Sequence, residues 1–412
     1  MINYNQFKLD NGLTVIHHFD DSTQLCALNI LYNVGSRDED PSKTGFAHLF
    51  EHLMFGASTH VKEFDVELQI AGGESNAFTS NDITNYYVTL PANNIETGFW
   101  LESSRMLSLD FNQKSLNVQK NVVIEEFKER YLNQPYGDVW LHVLPLAYQK
   151  HPYNWPTIGK EIAHIEQVNL DQVKDFFFNY YAPNNAILVL AGKISLEETK
   201  RLSEKWFGPI ERRGTQRNPY EQEPVQTEAR SKHIYNDVPL DLLVKAYHMG
   251  GRLDADYYSC DLLSDILGSG KSARFYNRLV KERHLFSELD TYISGDADPG
   301  LFLIEGKLMK GVSFEVAELA ILEELEFLKN NPIDPNELTK VLNKTETNIR
   351  FGDLSLLNRA MKLAFAEFLG DLSLANTEID HYLSVTTDSL LEVSKSMFVE
   401  SNCSTLYYHA KI

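Results

Sequence analysis

The chain has 412 residues, 43% hydrophobic and 23% charged, enough for two domains with full cores and ordinary for a globular protein. Its formal net charge of −20 argues against nucleic acid as a partner. No run approaches the roughly 18 uninterrupted apolar residues of a membrane-spanning helix, so no membrane partner is expected.

The first residues, Met1 to Lys8, lack a basic segment followed by an apolar one. A cytoplasmic protein is expected if Met1 is the natural start, and a periplasmic one if a leader was trimmed. The three cysteines, Cys26, Cys260 and Cys403, are widely spaced and odd in number. That pattern fits a reducing compartment and small buried apolar residues, not a disulfide framework.

In chain order, residues 7–16 read as a hairpin around Asn11-Gly12, and Leu25 to Tyr32 as a strand. A helix follows that carries His48-Leu49-Phe50-Glu51-His52. Positions three and four apart share a helix face, so His48, Glu51 and His52 converge on one patch. Two imidazoles at this spacing can share a zinc ion, and the carboxylate between them is placed as a general base. The flanking Phe46, Ala47, Leu49, Phe50, Leu53, Met54 and Phe55 make the helix largely apolar and therefore buried. Buried imidazoles and carboxylates need partners. Phe55 is also a candidate for lining a side-chain pocket, although apolar residues on helices more often fill a core.

Zinc at a catalytic site takes three protein ligands and leaves one position open. The third ligand is sought in residues 114–130, an amphipathic helix with Leu116, Val123, Phe127 and Tyr131 on one face. At 100° per residue Glu126 borders that face, Glu125 points away and Glu129 lies further toward solvent. Glu126 is favoured, with Glu129 and Glu125 as alternatives.

The strand–helix alternation continues to a strand at 186–191 ending at Gly192, then a helix at Leu196–Trp206. Residues 213–231 are polar and aperiodic and read as a linker. The expected organisation is a zinc-bearing αβ domain at 1–212, the linker, and a second αβ domain at 232–412 without a metal site. The second half repeats the first. Leu25–Gly35 aligns with Leu240–Gly250 at an offset of 215, with identities at Leu25/Leu240, Leu28/Leu243, Tyr32/Tyr247 and Gly35/Gly250. The same offset places Leu263, Ile266 and Leu267 where His48, Glu51 and His52 stand. The expectation is a duplicated α+β fold, each half an antiparallel-rich sheet packed with helices, with one zinc site per chain. Gly268-Ser269-Gly270-Lys271-Ser272 is not a phosphate loop, because that pattern requires glycine where Asp265 stands.

Taken together, HLFEH, AGGESNAFTS at 71–80 and NVVIEEF at 121–127 resemble the pitrilysin/insulinase/mitochondrial-processing-peptidase family of zinc metallopeptidases. HPYNWPTIG at 151–159, YYAPNNAILVLAG at 180–192 and LGSGKSARFYNRLVKE at 267–282 extend the likeness over nearly the whole chain. It is closest to short bacterial members that carry one half of a clamshell. The resemblance implies a peptide-bond hydrolase with Glu51 as base and His48, His52 and Glu126 as ligands. It implies that Asn76 and Ala77 contact an extended peptide along an exposed strand edge. Gln119 stands where the family often has an assisting glutamate, and Gln119 and Glu129 are the candidates for supporting the ligands from behind.

Many members also grip the substrate carbonyl with an arginine and a tyrosine seven apart. Val280 and Ser287 occupy those positions, and neither can donate such a bond. The expectation is a homo- or heterodimer in which a related chain supplies that pair for oligopeptide or unfolded substrates. The competing expectations are a catalytically silent assembly subunit of the same family and a peptide-binding module with structural zinc.

Overall fold

A computed structural model describes residues 1–217 and 219–411. Asn218, inside the expected linker, and Ile412, the end of the expected second domain, lie outside the described residues. The first half holds strands β1 (Asn5–Lys8), β2 (Thr14–Phe19), β3 (Leu25–Tyr32), β4 (Glu74–Thr79), β5 (Thr84–Pro91) and β6 (Ala186–Gly192). Its helices are α1 (Phe46–Leu53), α2 (Phe64–Ile70), α3 (Ile95–Leu107), α4 (Gln113–Phe127), α5 (Val139–Ala147), α6 (Ile162–Glu166), α7 (Leu170–Tyr180) and α8 (Leu196–Trp206). The second half holds β7 (Arg230–Asn236), β8 (Leu242–His248), β9 (Phe286–Ile293), β10 (Leu301–Leu308) and β11 (Cys403–Ala410). With them come α9 (Tyr257–Gly268), α10 (Phe314–Asn330), α11 (Pro335–Gly352), α12 (Leu356–Phe368), α13 (Leu374–Leu383) and α14 (Thr387–Met397). Among the described residues no helix is long and apolar enough to cross a membrane.

The two sheets have one topology. The first runs β1-β2-β6-β3-β5-β4 and the second β7-β11-β8-β10-β9. In each, one pair is parallel, β2 with β6 and β7 with β11, and the remaining pairs are antiparallel. Apart from β1 the strands correspond one to one, so the duplication read from 11 residues of sequence extends through the fold. Leu263, Ile266 and Leu267, which replace the motif residues, are fully buried on α9 in an apolar cluster.

The chain forms two units, and the expected single cut at 213–231 does not separate them. One unit comprises Met1–Lys128, Trp155–Pro219 and Arg350–Thr377; the other comprises Glu129–Asn154, Tyr220–Ile349 and Glu378–Ile412. Strands such as β3 and β8 are buried along nearly their whole length, so each sheet needs apolar cover on both faces. For the second sheet, α5 contributes Val139, Val143 and Ala147 against Leu242, Val244, Ala246 and Leu406. For the first, α12 contributes Ala360, Leu363 and Ala364 against Ile16, Ala27, Leu31 and Val189. Each half of the sequence thus covers a sheet belonging to the other. The boundaries 1–212 and 232–412 are corrected accordingly, and Arg230 and Ser231 of the expected linker already belong to β7.

The local expectations from periodicity fit these elements. Gly12 adopts a left-handed φ of 93° in the β1–β2 connection, a conformation that glycine enters without steric cost. At 268–272, α9 stops at Gly268; the hydroxyls of Ser269 and Ser272 receive Lys344 and Lys340.

Candidate metal centre

The motif helix α1 is eight residues long and packs on α4 and β4. Its apolar residues Phe46, Ala47, Leu49, Phe50 and Leu53 are buried, which turns the strip with His48, Glu51 and His52 toward α4 and β4. Glu126 enters from the last turn of α4. Its Oε2 lies 3.3 Å from His52 Nε2 and 3.7 Å from His48 Nε2, and one donor atom from each residue falls within 4.8 Å of the other two. The rings of His48 and His52 stand edge to face, with centroids 4.9 Å apart.

Two neutral nitrogens and one carboxylate oxygen are a donor set that zinc favours. Ligands about 2.0–2.1 Å from a tetrahedral ion stand roughly 3.3 Å from one another. The two histidine–carboxylate separations, 3.3 and 3.7 Å, are near that value, so His48, His52 and Glu126 fit a zinc ion. Side-chain exposures of 12%, 24% and 17% leave the three groups reachable from solvent but largely enclosed.

The neighbouring acids are disposed differently. Glu125 is 72% exposed and bonded to Lys128 at 2.7 Å, turned about 100° around α4 from Glu126. Glu129 is exposed in the wider π-helical turn that follows α4 and belongs to the other unit. Gln119 is half-buried two turns before Glu126, on the same face of α4.

Glu51 is anchored apart from the other three. The Thr79 hydroxyl, at the end of β4, donates to Glu51 Oε2 at 2.7 Å. Burial raises the phenol pKa values of Tyr86 and Tyr181, with the charge of Glu51 as a smaller contribution of the same sign, and they remain neutral phenols. Beneath them Glu102 and Arg105 form a buried pair, with bonds of 2.7 and 2.5 Å. The Arg105 guanidinium lies 4.5 Å from the Tyr86 ring, 4.7 Å from Phe64 and 5.5 Å from Phe55. Phe55, expected to line a pocket, therefore packs edge-on to Phe64 and against this cation, with part of its ring still exposed.

β4 is the edge strand of its sheet. Residues two apart in a strand share a face, so Ala77 lies on the side of Thr79 and Glu51, and Asn76 on the opposite side. The side-chain oxygen Oδ1 of Asn76 accepts the Ala77 N–H at 2.8 Å. Asn76 thus engages its own strand edge and does not point at the histidines.

Sequence relationships agree with this geometry. The family profile described as "Insulinase (Peptidase family M16)" matches residues 14–161, and that described as "Peptidase M16 inactive domain" matches residues 167–345. The zinc protease PqqE of Helicobacter pylori is 30% identical over 409 residues, covering 97% of this chain and 91% of the relative. The chain belongs to the M16 peptidase family. A crystal structure of a Helicobacter pylori protease superposes with a TM-score of 0.94 at 28% identity, over 99% of this chain and 100% of that one. Pitrilysin shares the fold, with a TM-score of 0.78 at 16% identity; all of this M16 chain is covered, but only 45% of pitrilysin.

Two features of this M16 chain escaped sequence reasoning. The Thr79 contact was hidden, although Thr79 sits inside the quoted 71–80 segment. Glu39, in the acidic run before α1, was not singled out. Val280 packs against the core of its unit, and the Ser287 hydroxyl donates to the Lys307 carbonyl at 3.2 Å. Nearby Arg283 and Tyr292 are engaged by Glu323 and Glu305, each at 2.7 Å.

Proposed function

We propose that this chain is a zinc-dependent endopeptidase, the metal-bearing member of a homo- or heterodimer acting on oligopeptides or unfolded segments. The observation that carries the reading is the convergence of His48 Nε2, His52 Nε2 and Glu126 Oε2, with Glu51 held beside them by Thr79. Zinc bound there supplies Lewis acidity, polarising a carbonyl oxygen and making water easy to deprotonate near neutrality.

The protein's own groups do the rest. Glu51 takes a proton from the attacking water and delivers it to the leaving amine. Thr79 keeps one carboxylate oxygen of Glu51 in place. The outer edge of β4 pairs with an extended peptide once Asn76 yields the Ala77 N–H. Val280 and Ser287 offer no cation or phenol to steady the substrate carbonyl, so a related partner chain supplies both. The proportion of pitrilysin that this chain covers, 45%, supports two such chains making one closed chamber.

The test is zinc content together with peptide turnover by wild type and Glu51→Gln. Bound zinc with cleavage lost in Glu51→Gln is the expected result, and weak turnover by the isolated chain is expected to rise with its partner. Full turnover by the chain alone rules out the partner-supplied pair. A silent assembly subunit is the second reading, favoured by the absent pair and by the inactive-domain match over 167–345; it requires no cleavage under any pairing.

A further inference from the structure

The amino end of α1 is where the helix bearing both histidines meets the rest of its unit. Helices this short are marginal on their own, so orientation must be imposed from outside. The chain enters α1 through Gly45 in a left-handed conformation, φ 89°, and no residue at that position supplies a side-chain cap. A side chain at Gly45 would stand 2.6 Å from the Ile158 carbonyl oxygen, so the approach is also tight.

The cap comes from six residues upstream. Glu39 Oε2 accepts the Gly45 N–H at 2.9 Å, and Oε1 accepts the Ala47 N–H at 2.8 Å. Oε2 also accepts the Trp155 indole N–H at 3.0 Å. Trp155 belongs to the HPYNWPTIG segment, to which the reaction assigns no role. Glu39 and Trp155 are both buried, 5% and 2% exposed. Thr44 closes the same joint, its hydroxyl accepting the Lys160 N–H at 2.8 Å and meeting His164 Nδ1 at 2.8 Å.

We propose that Glu39 is a positioning residue of the metal centre: its two oxygens hold the first turn of α1 and, through Trp155, lock it to residues 155–159, setting how His48 and His52 meet Glu126. The inference rests on the reading that those three residues hold zinc. A carboxyl group has about four acceptor sites, of which three are taken by N–H donors. Burial pushes the Glu39 carboxyl up, to about 8, against the pull of those donors and with Asp38 adding to the rise. Lys160 and Tyr180 also face it, and the Lys160 ammonium lies 4.4 Å from the Trp155 ring.

The test uses the full chain and zinc alone, with Glu39→Gln and Trp155→Phe compared by chelator competition and by the Trp155 indole N–H resonance between pH 6 and 9. Glu39→Gln is expected to fold with unchanged circular dichroism and to bind zinc about tenfold more weakly. Its indole resonance should lack the step near pH 8 that is expected in wild type. Trp155→Phe removes only one donor, remains informative if Glu39→Gln does not fold, and should weaken zinc binding by a smaller factor. The double variant should lose less than the product of the two. Wild-type zinc affinity in both single variants overturns the proposal, and so does an indole step that survives in Glu39→Gln. If wild type binds no zinc, the zinc reading fails instead, and the indole step alone decides whether Glu39 and Trp155 are paired.

Discussion

Thr79 and Glu51 are joined by a 2.7 Å hydrogen bond from hydroxyl to carboxylate, although 28 residues separate them. The bond fixes the Glu51 carboxylate of α1 to the end of an edge strand. The strand expected to receive the peptide and the group expected to handle the proton therefore move as one piece.

Replacing Thr79 with valine keeps the shape and deletes the donor. Turnover is expected to fall about tenfold, which is about 1.4 kcal/mol, in line with one lost charge-assisted bond. Zinc content should not change, since the Thr79 hydroxyl is bonded to Glu51 and the proposed ligands are His48, His52 and Glu126. Parallel metal analysis and steady-state kinetics check both; loss of zinc from Thr79→Val would refute the division of roles.

The two glutamates side by side on α4 should behave oppositely. Glu126→Gln is expected to strip the centre of metal and of activity together. Glu125→Gln, altering an exposed group paired with Lys128, should leave both as they were. Treatment of wild type with a chelator should reproduce Glu126→Gln, and zinc should restore the wild type alone.

The exchange of helices predicts that a late residue stabilises the early sheet. Leu363 is fully buried on α12 against the first sheet. Leu363→Ala is expected to cost about 2–5 kcal/mol. Hydrogen exchange should show protection lost in β3 and β6, with β8 and β11 less affected. Loss confined to β8 and β11 would contradict the assignment of α12.

Acid should loosen the same helix. The Ser22 hydroxyl and N–H, with the Arg359 guanidinium of α12 beside them, hold the Asp20 carboxyl at about 2, below its ordinary value of 3.8. A carboxyl group depressed in the folded state contributes stability above the unfolded value and loses it as pH falls through the folded one. Wild type should therefore lose this contribution between about pH 4 and pH 2. Asp20→Asn should be less stable at neutral pH, and the gap to wild type should narrow across that window in denaturant titrations.

Sequence alone determined whatever depends on near neighbours along the chain. The shared face of His48, Glu51 and His52, the burial side of Glu126 against Glu125, and the bounds of β3 and α8 all follow from fixed rises and turns per residue, which periodicity reports directly. Tertiary structure decided the rest. Glu39 and Trp155 lie 116 residues apart, and α5 and α12 each cover a sheet built from the other half of the sequence. Such pairings depend on the path of the chain and on which apolar face remains to be covered, and no local pattern of residues encodes either.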